Sequence, residues 1–258
     1  MHAISARKPF HYAPQPNWWF NADANIGQLL RNFIGQCWYP PHFVLRCRLT
    51  KALGNTKHPQ GTIVHIEKVT LEGHRVRLEP LEQRHLPGLR LAIEDGKLWE
   101  IPVTFVPHPD HLPNFLDAAE TAFHAGTELA FATVDRQSGQ VAGSTRFRCI
   151  ESAHRRLEIG FTFLAAASQR THVNTEAKYL MLCHAFESLG CNRVELLTDE
   201  RNAKSRNAIQ RIGAKEEGIL RSHMVMRDGF IRNSVMYSIT ATEWPSVKAT
   251  LHAKIGVA

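Results

Sequence analysis

The sequence predicts an α/β fold, a mixed β-sheet flanked by helices, preceded by an extension of different character. Three observations predict it. From His74 onward, two-residue and helical apolar periods succeed one another in the order β-α-α-β-β-β-α-β-α-β-β. Two turn sequences, Arg136-Gln137-Ser138-Gly139 and the loop with Asp228-Gly229, join neighbouring strands as hairpins. The stretch Leu157–Ala214 reads strand, polar loop, amphipathic helix, strand, helix, with the two strands parallel.

The extension is residues 1–66, and the folded domain is residues 67–258. The extension mixes aromatics and prolines (Pro14, Pro16, Trp18, Trp19, Phe20, then Trp38, Tyr39, Pro40, Pro41) without a sustained period. Only Ile26–Ile34 could form a short helix. The segment carries seven Lys/Arg against Asp23 alone, whereas the remainder carries 24 basic and 23 acidic residues. The pI of 9.3 therefore belongs to the extension. A nucleic-acid footprint needs a basic face on the domain itself, so that class is set aside. The extension reads as loosely ordered or as an over-called start; the alternative is a basic tether to an acidic partner such as ribosomal RNA.

Within the domain, Arg75–Leu78 alternates with Val76 and Leu78 on one face. Leu86, Leu89 and Ile93 take helical spacing, as do Leu112, Phe115, Leu116, Ala119 and Phe123 in a helix starting near Asp110. Lys97–His108 connects the two and contains Trp99 and Phe105. Strands follow at Leu129–Val134, Val141–Ile150, Leu220–Met226 and Ile231–Ile239. A terminal helix after Thr242 sets Val247, Leu251 and Ile255 on one side.

No apolar run approaches the ~18–20 residues of a membrane span, and the first twenty residues do not read as a signal peptide. Five cysteines (Cys37, Cys47, Cys149, Cys183, Cys191) form no C-x-x-C pair, which points to reduced thiols in a cytoplasmic protein. His108 and His111 lack a third ligand at useful spacing, so no metal is expected.

The chemistry concentrates in Leu157–Ala214. Leu157–Leu164 is a strand apolar enough for burial on both faces. It runs into Ala165-Ala166-Ala167-Ser168, small residues that let another molecule lie close to the backbone. Gln169–Asn174 leads into a helix opened by Asn174 or Thr175 as N-cap, with Ala177, Leu180, Met181, Ala185 and Leu189 buried and Gly190 closing it. Unpaired N–H groups and the positive end of the helix dipole make this junction an anion site suited to phosphate.

Gln169-Arg170-Thr171-His172-Val173-Asn174-Thr175-Glu176-Ala177 resembles the cofactor loop of the GNAT superfamily of N-acetyltransferases, in particular its ribosomal-protein N-terminal acetyltransferase branch. The leading Gln and trailing Thr-Glu-Ala match; His172 and Asn174 stand where the family has small residues. Asn202-x-x-Ser205 and Gly213-Ala214 resemble the next family motif. The resemblance covers roughly residues 70–245. It implies a mostly antiparallel sheet with a central parallel pair, acetyl-CoA as co-substrate and an amine as acceptor. It implies cofactor contacts from Phe163, Leu164, Gln169, Arg170, Thr171, His172, Val173, Asn174, Thr175, Asn202 and Ser205. Amides near Phe163–Leu164 are the implied oxyanion donors, and Ser205 the implied proton donor to sulfur, because the Tyr of most branches is Ile209 here.

Each residue has a plainer reading. Asn202 is equally a helix cap, Glu176 a complement to the dipole, and Arg170 a solvated loop charge. The base is open between Glu158 and His223. Glu158 is alternatively a buried carboxylate paired with Arg146 or Arg148. The acceptor is expected against Lys97–Pro109 and the Met226–Arg232 hairpin. It is a protein α-amine or a small amine (polyamine, aminoglycoside, amino-acid-like toxin); a catalytically silent acyl-CoA-binding module is the rival. A homodimer is allowed for.

Overall fold

The computed structural model describes residues 64–256. The short helix at Ile26–Ile34 and nearly all of the 1–66 extension lie outside the described residues. Val64 is buried and Ile66 packs against the same core.

Among the described residues, eight strands form one sheet in the order β1-β2-β3-β4-β5-β6-β8-β7. They are β1 (Leu71–Glu72), β2 (Val76–Pro80), β3 (Leu129–Asp135), β4 (Val141–Glu151), β5 (Arg156–Leu164), β6 (Arg193–Asp199), β7 (Lys215–Val225) and β8 (Ile231–Thr240). Every pairing is antiparallel except β5 with β6. The predicted mixed sheet and its parallel pair are therefore present. The added strand β1 is two residues long, too short to show a period. Both hairpins form where expected: the Asp135 and Gly139 amides close the β3–β4 turn, and the Met226 and Gly229 amides close the β7–β8 turn. Gly139 and Gly229 both take positive φ, which the turns require.

Among the described residues, five α-helices flank the sheet: α1 (Leu86–Glu94), α2 (Leu112–His124), α3 (His172–Cys183), α4 (Ala203–Arg211) and α5 (Trp244–Ile255). One apolar layer lies between the sheet and α3 with α5, built on Phe131, Phe147, Leu157, Met181, Leu182 and Ile239. A second, smaller layer joins α1 and α2 to Ala130, Ala132 and Phe163. Val76 and Leu78 are fully buried, and so is Leu89 of α1, as their periods predict. The second helix starts at Leu112 rather than Asp110, because Pro109–His111 forms a 3₁₀ turn with Pro113 in the helix's first turn. Among the described residues, no helix is long and apolar enough to cross a membrane.

Candidate functional site

The parallel pair is shallow. β5 and β6 are in register only at Leu157–Val194 and its two neighbours, Arg156–Arg193 and Glu158–Glu195. Beyond Glu158, β5 stays with β4 and leaves β6, which remains paired to β8 through Asp199. A wedge-shaped gap therefore opens between β5 and β6. A bulge in β5 lies within the departed stretch: two residues, Phe161 and Thr162, face Thr145 of β4, and Phe161 sits at φ 46°. The bulge corrects one expectation: Thr162 is exposed, so the strand is not buried on both faces. Gly143 lets the strands close up again, since a Cβ there would collide with the Phe163 carbonyl oxygen.

Past the bulge, the Ala165 amide donates to Ala142 of β4 at 2.8 Å. Strand alternation then turns the Leu164 amide the other way, towards the gap. On that side the Leu164 carbonyl accepts from Gln169 Nε2 at 3.0 Å. Asp95, at the end of α1, holds the small-residue turn: its backbone oxygen takes the Ala166 amide and its carboxylate takes the Ala167 amide at 2.8 Å.

Helix α3 begins earlier than predicted. Thr171 is the N-cap, its hydroxyl accepting from Val173 N at 3.3 Å, so Asn174 and Thr175 lie inside the first turn. All three residues are competent caps, but only Thr171 follows the reversal made by Arg170 at φ 61°. Helical geometry leaves the other first-turn amides without intrahelical partners. His172 turns towards β3: its Nε2 is buried, without a hydrogen bond, 4.0 Å from Asp135. The start of α3 thus presents backbone donors and the positive end of the helix dipole, which suit an anion. Glu176 takes no part in the dipole's outer face. It is buried and accepts from the Arg75 amide at 2.9 Å, anchoring the β1–β2 turn.

On the other flank, Asn202 caps α4, its Oδ1 accepting from Ser205 N at 3.0 Å. Ser205 is half-buried in the first turn, and Ile209 is buried in the main core. Asn202 is therefore a helix cap, as its plainer reading has it.

Opposite α3, the sheet carries a charged cluster. Glu158 is 5% exposed and pairs with Arg148 at 3.2 Å, while Arg146 pairs with Glu128 at 2.9 Å. Burial raises the Glu158 pKa above the ordinary carboxylate value, with Arg148 opposing. His223 of β7 meets Ser234 Oγ at 2.9 Å, and that oxygen accepts from Arg232 Nε at 2.8 Å. Burial and the positive charges of Arg232 and Arg148 lower the His223 pKa. Phe161 lies under both arginines, at 5.3 Å from Arg146 and 4.4 Å from Arg148, and Phe105 meets its edge at 6.3 Å. Glu158 and His223, far apart in sequence, thus share one cluster.

Two residues carry roles that the sequence does not announce. Arg227, at the β7–β8 turn, donates to the carbonyl oxygens of Trp99 (2.6 Å) and Val106 (3.2 Å), tying the hairpin to the α1–α2 connection. Lys178 of α3 is 5% exposed, with only hydroxyl partners. The helical period was its available signal, since Lys178 stands three residues before the buried Met181. Among the described residues, no group of three or more His, Cys, Asp or Glu is placed to hold a metal.

Residues 75–215 match the model of the acetyltransferase (GNAT) domain. A putative ribosomal N-acetyltransferase of Bacillus subtilis, YdaF, is 31% identical over 110 residues. That match spans 43% of this chain and 59% of the relative, so the chain covers about three-fifths of that relative's length. A GCN5-related N-acetyltransferase from Brucella melitensis superposes with a TM-score of 0.69 at 30% identity, covering 77% of this chain and 90% of that one. A putative acetyltransferase from T. thermophilus does so at 0.62 and 36% identity, over 72% and 96%.

Proposed function

Because the chain belongs to the GNAT acetyltransferase family, we propose that it is an acetyl-CoA-dependent N-acetyltransferase acting on a primary amine, with a protein N-terminal α-amine as the favoured acceptor. The observation that carries this reading is the gap that opens beyond Glu158, with the Leu164 amide facing it and the start of α3 at its rim. Acetyl-CoA, when bound, supplies an activated thioester. The amides of Arg170–Asn174, in the loop before α3 and its first turn, hold its diphosphate, and Asn202 and Ser205 line the opposite wall. The Leu164 N–H donates to the oxygen on which charge develops, with the neighbouring Phe163 amide held by β4.

Glu158 is the favoured base, taking the amine proton through one water. Its raised pKa brings it closer to the operating pH, where a general base is most effective. His223 is placed less well: Ser234, while accepting from Arg232, has its own proton free for the imidazole Nδ1. Ser205 Oγ passes its proton to the leaving sulfur as it takes one from solvent water, and Glu158 releases the amine proton to solvent. The acceptor enters between Phe105 and the β7–β8 hairpin, the wall that Arg227 fastens.

The ribosomal relative supports a protein acceptor over a small amine. The buried Ile209 supports the rival of a silent acyl-CoA-binding module, because that helix position offers no proton donor. A thiol-release assay separates them, using acetyl-CoA with peptides bearing a free N-terminal Ala or Ser, and with spermine and kanamycin as small amines. Turnover of the peptides at a kcat/KM at least about tenfold higher than of the small amines supports the proposal. Binding of CoA without turnover of any amine supports the silent module.

A further inference from the structure

Lys178 is a buried cation without a carboxylate. Its Nζ donates to Thr162 Oγ1 at 2.7 Å and Thr145 Oγ1 at 2.9 Å, and the two hydroxyls bond each other at 2.8 Å. Among the described residues, no charged group on the elements packed around α3 pairs with Lys178; His172 on its own helix lies 4.0 Å from Asp135 of β3. Glu176 on its own helix holds the Arg75 amide, and His184 beyond it stacks on Phe147. Arg146 and Arg148 of β4 pair with Glu128, and Glu158 of β5 pairs with Arg148, on the opposite face. Glu72 of β1 faces Arg136, Arg77 and Glu79 of β2 bond each other, and Lys248 of α5 bonds Glu187. An unpaired buried ammonium is costly, and a methionine would fill the same space without that cost. The position of its partners explains what the charge does. Thr162 belongs to the stretch of β5 that has left β6, two residues ahead of the Leu164 amide that faces the gap. Thr145 is its partner across the bulge.

We propose that Lys178 is a positioning residue of the transferase site, pinning the bulged segment of β5 to β4 and setting a positive charge behind the Leu164 amide that faces the developing oxyanion. The proposal rests on the transferase reading. Burial alone lowers the Lys178 pKa to about 7, so the charge is withdrawn as pH rises through neutrality.

The test is the full-length protein with acetyl-CoA and the same peptides and amines, comparing wild type with Lys178→Met and with the double variant Thr145→Val, Thr162→Val. In parallel, lysine side-chain NMR titrates the wild type. Lys178→Met is expected to lower kcat about 10- to 100-fold while leaving CoA affinity within about threefold. It is also expected to remove a falling limb of log kcat, centred near pH 7, that wild type shows at saturating acceptor; a purely structural lysine would leave that limb in place. The double variant is expected to reproduce the loss of kcat. A wild type that turns over with a Lys178→Met variant equal to it in kcat and pH profile overturns the proposal and leaves the transferase reading intact. A Lys178 resonance that titrates in step with the falling limb of kcat supports it. A wild type that neither binds CoA nor turns over any amine removes the transferase reading, and this proposal with it.

Discussion

Arg227 donates to the main-chain oxygen of Trp99 at 2.6 Å, joining segments 128 positions apart in the chain. The same guanidinium reaches the carbonyls of Ile101 and Thr104 at 3.4 Å and of Val106 at 3.2 Å. It fixes an irregular connection that has no ladder of its own. Arg227→Ala is expected to raise KM for the acceptor about tenfold, with CoA affinity changed by less than about twofold. Steady-state kinetics with calorimetry for CoA checks both halves.

Glu158→Gln keeps the shape of the carboxylate and removes its basicity. It is expected to lower kcat about 10²-fold, against about threefold for His223→Ala. The sign on stability runs the other way. The folded pKa of Glu158 is raised, so its contribution is fully present below the unfolded pKa of about 4.5 and is lost as pH rises through the folded value. The Gln variant should therefore melt at or above the wild-type temperature at pH 8. Melting curves at pH 5 and pH 8 test this.

His172 turns towards Asp135 and away from the helix mouth. His172→Ala is expected to change the CoA dissociation constant by less than about threefold, since no charge-assisted contact is lost. Asn174→Asp sets a negative charge among the first-turn amides and is expected to weaken CoA about five- to tenfold at low salt. Calorimetry on the two variants gives the comparison.

Lys178 has its stability consequence in a defined pH window. Its pKa falls from 10.5 to about 7 on folding, so the unfolded chain binds more protons between those values. The burial cost is complete below pH 7 and is relieved as pH rises towards 10.5. At about 1.4 kcal/mol per pH unit, less the lost hydroxyl bonds, Lys178→Met should gain about 1–4 kcal/mol at pH 7. Chemical denaturation at pH 6.5 and pH 9.5 should show that advantage shrinking at the higher pH.

The fold was legible because strong periods coincide with real burial. Leu89, Met181 and Ile239 are fully buried where the sequence sets them on apolar faces. The site was legible in outline and less so in detail, for local reasons. The cap of α3 lies three residues before the expected Asn174 because Thr171, Asn174 and Thr175 are equivalent as caps, and only the left-handed Arg170 decides among them. The bulge at Phe161 breaks the two-residue period, so the apolar run around Thr162 suggests a burial that the strand does not have. Arg227 carries no local signal at all: its partners are backbone oxygens of a distant loop.

The central claim is that acetyl-CoA lies from the α3 N-terminus into the gap between β5 and β6. A crystal structure of the full chain with CoA measures it directly. Diphosphate density is expected over the Arg170–Asn174 amides, with the pantetheine arm passing between Leu164 and Asn202. CoA bound elsewhere on the molecule, with β5 and β6 closed together beyond Glu158, would contradict it.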